Sequence, residues 1–398
     1  MSELPTYQFP IAAGRGVLLG LSGPQLASVG LCGVVFVVAV SAANVTALLL
    51  GVAAIGVLLV ACFVPVAGRP AVEWLPVWAG FGWAMATRNN EFYASPDLTG
   101  RDLPPGTLDL PGELFGLELH DHLPTEATAG ASVANPTPAG YGIVRDSFRD
   151  RLVAIVEVSG AEFLFGDAAE QQNKISGWGG LLDHLAQSLP ELTRLQVVHT
   201  VGPSSPEVIA SYHHSHGGRG SAATAASYRQ VLERAGAAAQ DHRCLMAIGL
   251  DTKLARRAIR QAGGGLAGGG AVLMDRAAAL EQGLHAAGVQ VEGWLPARAV
   301  AQMLRVGFDP AARTARPADV IDGGGLDPAA AGPGGMVDGW SAVRHDSGWS
   351  TTLQVVAAPS RPVTGDFLQH LLIGVAAERR MSLLYVPTPM RTAERRAQ

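Results

Sequence analysis

Residues 16–68 contain no Asp, Glu, Lys, Arg or His, a run of 53 positions bracketed by Arg15 and Arg69. A bilayer-spanning helix needs about 20 consecutive apolar residues, so this stretch holds two of them with almost nothing between. The first is expected at Pro24–Ala42, read from LASVGLCGVVFVVAV, and the second at Thr46–Val66, read from TALLLGVAAIGVLLVACFV. The connector lies near Ser41–Val45. Backbone amides cannot stay unpaired in hydrocarbon, so both segments must be helical there. A hairpin returns both chain ends to one side. Arg15, Arg69 and Arg88 flank that side and the connector is uncharged, so the positive-inside rule puts both termini in the cytoplasm. A secretory signal would have a basic start and a single apolar core of about 7–15 residues. Two long cores and an acidic Glu3 argue against it. The expectation is a plasma-membrane protein with two spans, in contact with the lipid bilayer.

From Arg69 onward the chain carries 28 basic and 33 acidic residues. There is no basic stripe, which argues against direct nucleic-acid binding. Lys174 and Lys253 are the only lysines. Cys32 and Cys62 fall in the spans and Cys244 opens a strand, so three scattered thiols make no disulfide framework and fit a reducing compartment.

Trp74, Trp78 and Trp83 follow the second span, where tryptophan favours the membrane–water boundary. Val72–Thr87, interrupted by Pro76, reads as a helix lying along or leaving that boundary, either as an anchor alone or as a docking surface for another membrane subunit. Tyr93–Gly140 is a loose stretch with a strand at Leu114–His120. Gly142–Asp146 and Leu152–Ser159 read as paired strands around the turn Ser147–Asp150. Asp167 caps a helix over Ala168–Leu189. Strands follow at Leu195–Val201, Cys244–Leu250, Val289–Leu295 and Ser382–Val386, with a hairpin of Trp340–His345 and Trp349–Ala357. Helices are expected at Ser205-Pro206 (a short start), Ala222–Ala238, Thr252–Gln261, Val272–Ala287, Pro296–Val306 and Asp366–Val375. Phe308–Gly335, rich in Ala, Pro, Gly and Asp, reads as a mobile linker.

Strands paired locally in some places and separated by helices in others make an α+β pattern, not a strict βαβ alternation. The order suggests ferredoxin-like units, two of them side by side. The domain plan is therefore 1–23 as a cytoplasmic N-terminal segment, 24–66 as the transmembrane hairpin, 67–140 as juxtamembrane helix and linker, and 141–398 as a cytoplasmic α+β domain with a linker near 308–335.

Motifs for chemistry are sparse. A P-loop needs GxxxxGK[ST], but the glycine run GGGLAGGG at Gly263–Gly270 leads into Ala-Val-Leu-Met and reads as a flexible link between helices. His213, His214 and His216 have spacing that could hold a transition metal, yet they lie in a Ser/Gly-rich stretch with no Cys or Glu nearby and read as a surface loop. GxSxG, HExxH and CxxC do not occur. Asp241-His242 and His345-Asp346 read as decorating strand ends, and Glu157 and Glu292 as facing solvent. The basic helix Lys253–Arg260 reads as a solvated face. The residues themselves name no catalytic group, cofactor or metal.

The ordered set GRGVLLGLSGPQL, a two-span hairpin, GRPAVEWLPV, RLVAIVEVSG, ISGWGGLLDHLAQ, RLQVVHT, GGGLAGG and VEGWL resembles actinobacterial membrane proteins with the EccE-type domain of type VII secretion. The hairpin is similar to the PrgI-type small subunit of conjugative type IV systems. The soluble part is similar to the non-motor N-terminal region of VirB-type conjugation ATPases. The resemblance spans most of Gly14–Pro387. It implies a non-catalytic, membrane-anchored structural subunit of a type VII-like or type IV-like secretion apparatus. Its partners would be other membrane subunits and a separate motor ATPase, and it is compatible with oligomer formation. The positions it singles out for interaction are Arg69, Pro70, Glu73, Trp74 and Pro76, with Trp178 and Trp294 in the core as packing residues. Members of the family continue past the last strand, whereas this chain ends at Gln398; the resemblance leaves open a truncated chain or a shorter variant. The alternatives are a membrane-anchored enzyme with a site assembled from distant residues, or a metal sensor using the His213/His214/His216 loop.

Overall fold

The computed structural model describes residues 6–8, 21–66, 68–94, 106–122, 140–160, 167–203, 240–312, 326–355, 358–364 and 378–388, with positions 227, 230, 367, 368 and 371. The expected helix at 205–206, nearly all of those at 222–238 and 366–375, and the histidines at 213, 214 and 216 lie outside the described residues.

Helices α1 (Gly23–Ser41) and α2 (Val45–Phe63) form an antiparallel hairpin, each long and apolar enough to cross a bilayer. Only 17% and 11% of their apolar windows are buried inside the protein, so among the described residues most of their surface is uncovered. Asn44 Oδ1 accepts from Thr46 N at 2.9 Å and caps α2. At the opposite end Gln25 Nε2 donates to Cys62 O at 3.0 Å, tying the two helices together. Between them Gly51 leaves no room for a side chain, since a Cβ there would sit 2.5 Å from that of Ala39.

A two-residue ladder, Pro65–Val66 against Arg69–Pro70, and a 3-10 turn, Ala71–Trp74, lead directly into helix α3 (Leu75–Thr87). Arg88, in left-handed geometry at φ 56°, ends α3, and strand β1 (Glu91–Tyr93) follows. The main sheet is built from β2 (Leu117–His122), β3 (Tyr141–Asp146) and β4 (Arg151–Gly160). Helix α4 (Ala168–Ser188) comes next, then β5 (Leu192–Pro203) and β6 (Gln240–Asp251). Helices α5 (Arg256–Gln261) and α6 (Gly265–Ala286) precede β7 (Val289–Trp294), and α7 (Ala297–Phe308) follows it. A small sheet uses β8 (Gly335–Asp338), β9 (Val343–His345) and β10 (Trp349–Ser350), and β11 (Arg379–Tyr385) returns to the main sheet.

Every pairing in the main sheet is antiparallel, in the order β11-β5-β6-β4-β3-β2. Strand β7 shares an edge of β4 with β3: Arg151–Ala154 meet β3, and Val156–Gly160 meet β7. One face is covered by α4 and α6, through Leu181 and Leu185 on one helix and Leu273, Ala277, Leu280 and Leu284 on the other. The opposite face is covered by α7, with Leu108, Leu110 and Ala331. Full burial of each such Leu contributes about 1.5–3 kcal/mol. Asp167 Oδ1 accepts from Glu170 N at 2.8 Å, so α4 starts where the cap was expected.

Several expectations need correction. The glycine run is not a flexible link; its last six residues, Gly265–Gly270, open α6, with Gly268, Gly269 and Gly270 buried. A Cβ at these positions would meet Ile259 O at 2.7 Å, Leu152 Cδ1 at 2.6 Å and His122 Nδ1 at 2.7 Å. The small residues let the helix lie directly on the sheet, and that burial offsets the entropy glycine loses in a helix. Glu157 does not face solvent: it is buried, because α7 covers the face of β4 that the alternation assigns to water. The strand expected at Leu114–His120 is present, shifted to Leu117–His122, as the edge strand β2. In the stretch expected to be a mobile linker, the described residues 310–312 and 328–330 are 3-10 turns and Ala331 is fully buried.

Candidate functional site

The five interaction positions lie where the hairpin meets the body. Arg69 pairs by backbone with Val66, and Pro70 with Pro65. Glu73 lies half-buried in the 3-10 turn, whose Val72 is buried against the ends of both α1 and α2. Trp74 Nε1 donates to Val66 O at 3.0 Å, closing the turn. Pro76, in the first turn of α3, is exposed. Trp178 and Trp294 are packing residues, as expected: their rings meet Tyr385 at 5.7 Å and Tyr141 at 6.5 Å, both edge to face.

Sequence reasoning missed what completes the site. Trp340, in the loop between β8 and β9, packs edge-on against Phe81 of α3 at 5.3 Å and against Trp74 at 6.3 Å. Such aromatic pairs stabilise by about 0.5–1.5 kcal/mol beyond area burial. Beside it, β1 pairs with β8 in the register Gly335↔Tyr93, Met336↔Phe92 and Val337↔Glu91. Asn90 O accepts from Asp338 N at 2.8 Å, and Ala94 N donates to Gly334 O at 3.0 Å. The segment leaving the apolar hairpin is thus hydrogen-bonded to a strand some 240 residues later.

A polar network joins that strand to the main body. The Asp346 carboxylate accepts from Gly334 N at 2.9 Å, Gly335 N at 2.8 Å and Arg305 Nη2 at 2.9 Å. Arg305, in the last turn of α7, also donates to Gly332 O at 2.7 Å and meets Asp309 Oδ2 at 3.4 Å. Ser347 Oγ donates to Asp309 Oδ1. From β11, Arg380 donates to Gly307 O at 2.7 Å and Val306 O at 2.6 Å, satisfying the C-terminal carbonyls of α7. Burial raises the Asp346 pKa, but the Gly334 and Gly335 amides and Arg305 outweigh it and hold the carboxyl below its ordinary range. His345, buried, bonds Ser350 Oγ through Nε2 at 2.6 Å; burial, then the Arg380 charge, push its pKa down.

Comparison with protein-family models, with curated proteins and with solved structures finds no match to this chain.

The arrangement holds surfaces together. The Asp346 and Asp309 oxygens are taken up by Arg305, Ser347 and backbone amides, and His345 Nδ1 has no hydrogen-bond partner among the described residues. Among the described residues no three His, Cys, Asp or Glu side chains gather in a metal-holding group. His345-Asp346 therefore belongs to a structural clamp, beyond decorating a strand end, and Asp241 likewise pairs with Arg243 at 3.1 Å.

Proposed function

We propose that this protein is a non-catalytic, membrane-anchored structural subunit of a secretion apparatus of the type VII or conjugative type IV kind, and that its cytoplasmic α+β body docks a separate ATPase. The observation that carries this reading is the hairpin's exposed apolar surface bonded, through α3 and the β1–β8 ladder, to a folded body. An anchor joined in that way delivers a fixed surface to partners in the same membrane and raises their effective concentration.

Two further features support it. Thr6–Tyr7, before α1, pair with Val363–Thr364, well after α2; chain ends on one body favour a two-span hairpin with both termini on one side, which the flanking arginines make the cytoplasmic side. The elements β4-α4-β5-β6-α6-β7 have the antiparallel strand order β7-β4-β6-β5, and this supports a ferredoxin-like unit at the centre of the body. The test is affinity purification of the full-length chain from native membranes in mild detergent. Co-purification of a P-loop ATPase with other membrane subunits is the expected result. A lone monomer overturns the proposal.

A further inference from the structure

A second apolar surface lies far from the hairpin in sequence. From Ser347 to Ser360 the chain has no ionisable residue. In this stretch Trp349 is 71% exposed, Leu353 89% and Val355 77%. Trp349 stands on one side of the small sheet, and Leu353 and Val355 follow it four and six residues later, just past the end of β10. The same side of the small sheet carries Tyr93, Val337 and Arg344, because the register runs Tyr93↔Gly335, Val337↔Arg344 and Arg344↔Trp349. Tyr93 is 69% exposed and Arg344 is exposed. Glu91 shares this face, two strands from Arg344, and balances its charge.

This sheet is fastened to the membrane-proximal helix: β1 continues directly from α3, and Trp340 of the β8–β9 loop packs on Phe81. Helix α3 itself has no ionisable residue and none that is buried, with Leu75, Trp78, Trp83 and Met85 all exposed. Apolar side chains are therefore exposed on the spans, on α3 and on this face of the small sheet. A soluble surface of that kind is costly, whereas Trp, Tyr and Arg beside aliphatic side chains suit the headgroup layer.

We infer that the Tyr93–Arg344–Trp349 face, continued by Leu353 and Val355, rests on the lipid headgroup layer beside α3, as a second membrane contact of the cytoplasmic body. The inference depends on the hairpin being in the membrane. Trp349 and Leu353 enter the boundary, and Arg344 meets lipid phosphate. Docked at α3 and at this face, the body cannot swing about the hairpin.

The test is photocrosslinking of the full-length chain in native membranes. A benzophenone amino acid replaces Leu353, in parallel with Val37 on α1 and Arg260 on α5. The expected result is the added mass of one phospholipid at Leu353 and Val37 and none at Arg260, with the Leu353 adduct reduced severalfold by Trp349→Ser. A protein adduct at Leu353, from another subunit or a second copy, overturns the inference, as does the absence of any adduct there while Val37 still gives lipid. Failure of Val37 to give a lipid adduct instead removes the membrane reading beneath it.

Discussion

Replacing Asp346 by Ala should release the small sheet from the body without unfolding the body. The carboxylate holds Gly334 N, Gly335 N and Arg305 within 2.9 Å. A hydrogen bond to a charged group contributes about 1.5–3 kcal/mol net, and because the Asp346 side chain is 22% exposed, water recovers part of each loss. Arg305 also keeps Asp309 as a neighbour. The combined cost is therefore about 2–3 kcal/mol, which speeds local opening about 30- to 150-fold. Hydrogen exchange on the full-length protein in lipid nanodiscs reads this directly: peptides covering 331–350 lose protection by that factor, and the β4 peptide keeps its own. Asp346→Asn, which keeps an acceptor oxygen but no charge, falls between. The pH dependence has a defined sign. The folded carboxyl titrates below the unfolded value of about 3.9, so its stabilisation is full above about pH 4 and is lost as pH falls through the lower folded value. Exchange in 331–350 within about twofold of wild type would refute the reasoning. Equal loss in β4 would mean that the network supports the whole fold and is no clamp.

Gly270→Val should cost about 1–3 kcal/mol, because its Cβ would lie 2.7 Å from His122 Nδ1 and 2.8 Å from Ile143 Cδ1; urea unfolding in detergent checks this, and an unchanged midpoint would show that α6 can lift from the sheet. Burial, with Glu157 adding to it, pushes the Cys244 thiol up to about 11, so at pH 7.5 it should react with a disulfide reagent roughly 300-fold more slowly than a free thiol; a rate near that of glutathione contradicts this. Burial lowers the pKa of His122, and burial followed by the His242 charge lowers that of His199, so both stay neutral in the folded state below the unfolded value of about 6.5. Stability should be full above that pH and decline as pH falls beneath it toward the folded values, and His122→Gln should flatten the decline in a thermal-melt series.

The parts of this fold that are legible in the sequence are those set by near neighbours. An uncharged run of this length predicts a helical pair because a helix pairs its amides within its own segment, with no partner strand needed. Asp167 predicts a helix start because the cap is four residues of local geometry. The strands β3 to β7 lie within a few residues of their expected bounds. What failed needed distant partners. Glu157 was assigned to water by alternation, a rule that assumes one wet face, but LVAIVEV lies between two helical layers and both of its faces are buried. The glycine run resembles a linker in composition, since nothing local tells a flexible glycine from one required by a helix lying on Leu152 and Ile143. Trp340 carries no signal because its partner Phe81 is separated from it by most of the chain.

The clamp decides what the hairpin can contribute. Anchoring alone confines a domain to a plane, and a long flexible tether would still let it point anywhere. Here the path from Phe63 to Glu91 runs through a two-residue ladder, a 3-10 turn and α3, and Trp340, the β1–β8 ladder and Asp346 then bind it to the body. The same contacts explain why charged residues collect at the end of α7: Arg305 and Arg380 saturate the carbonyls and carboxylates that must be held at the join. On the proposed reading, a body fixed this way shows a partner in the membrane one defined surface. For a contact too weak to hold in solution, orientation then adds to the gain from sharing a plane, because fewer encounters meet the wrong face.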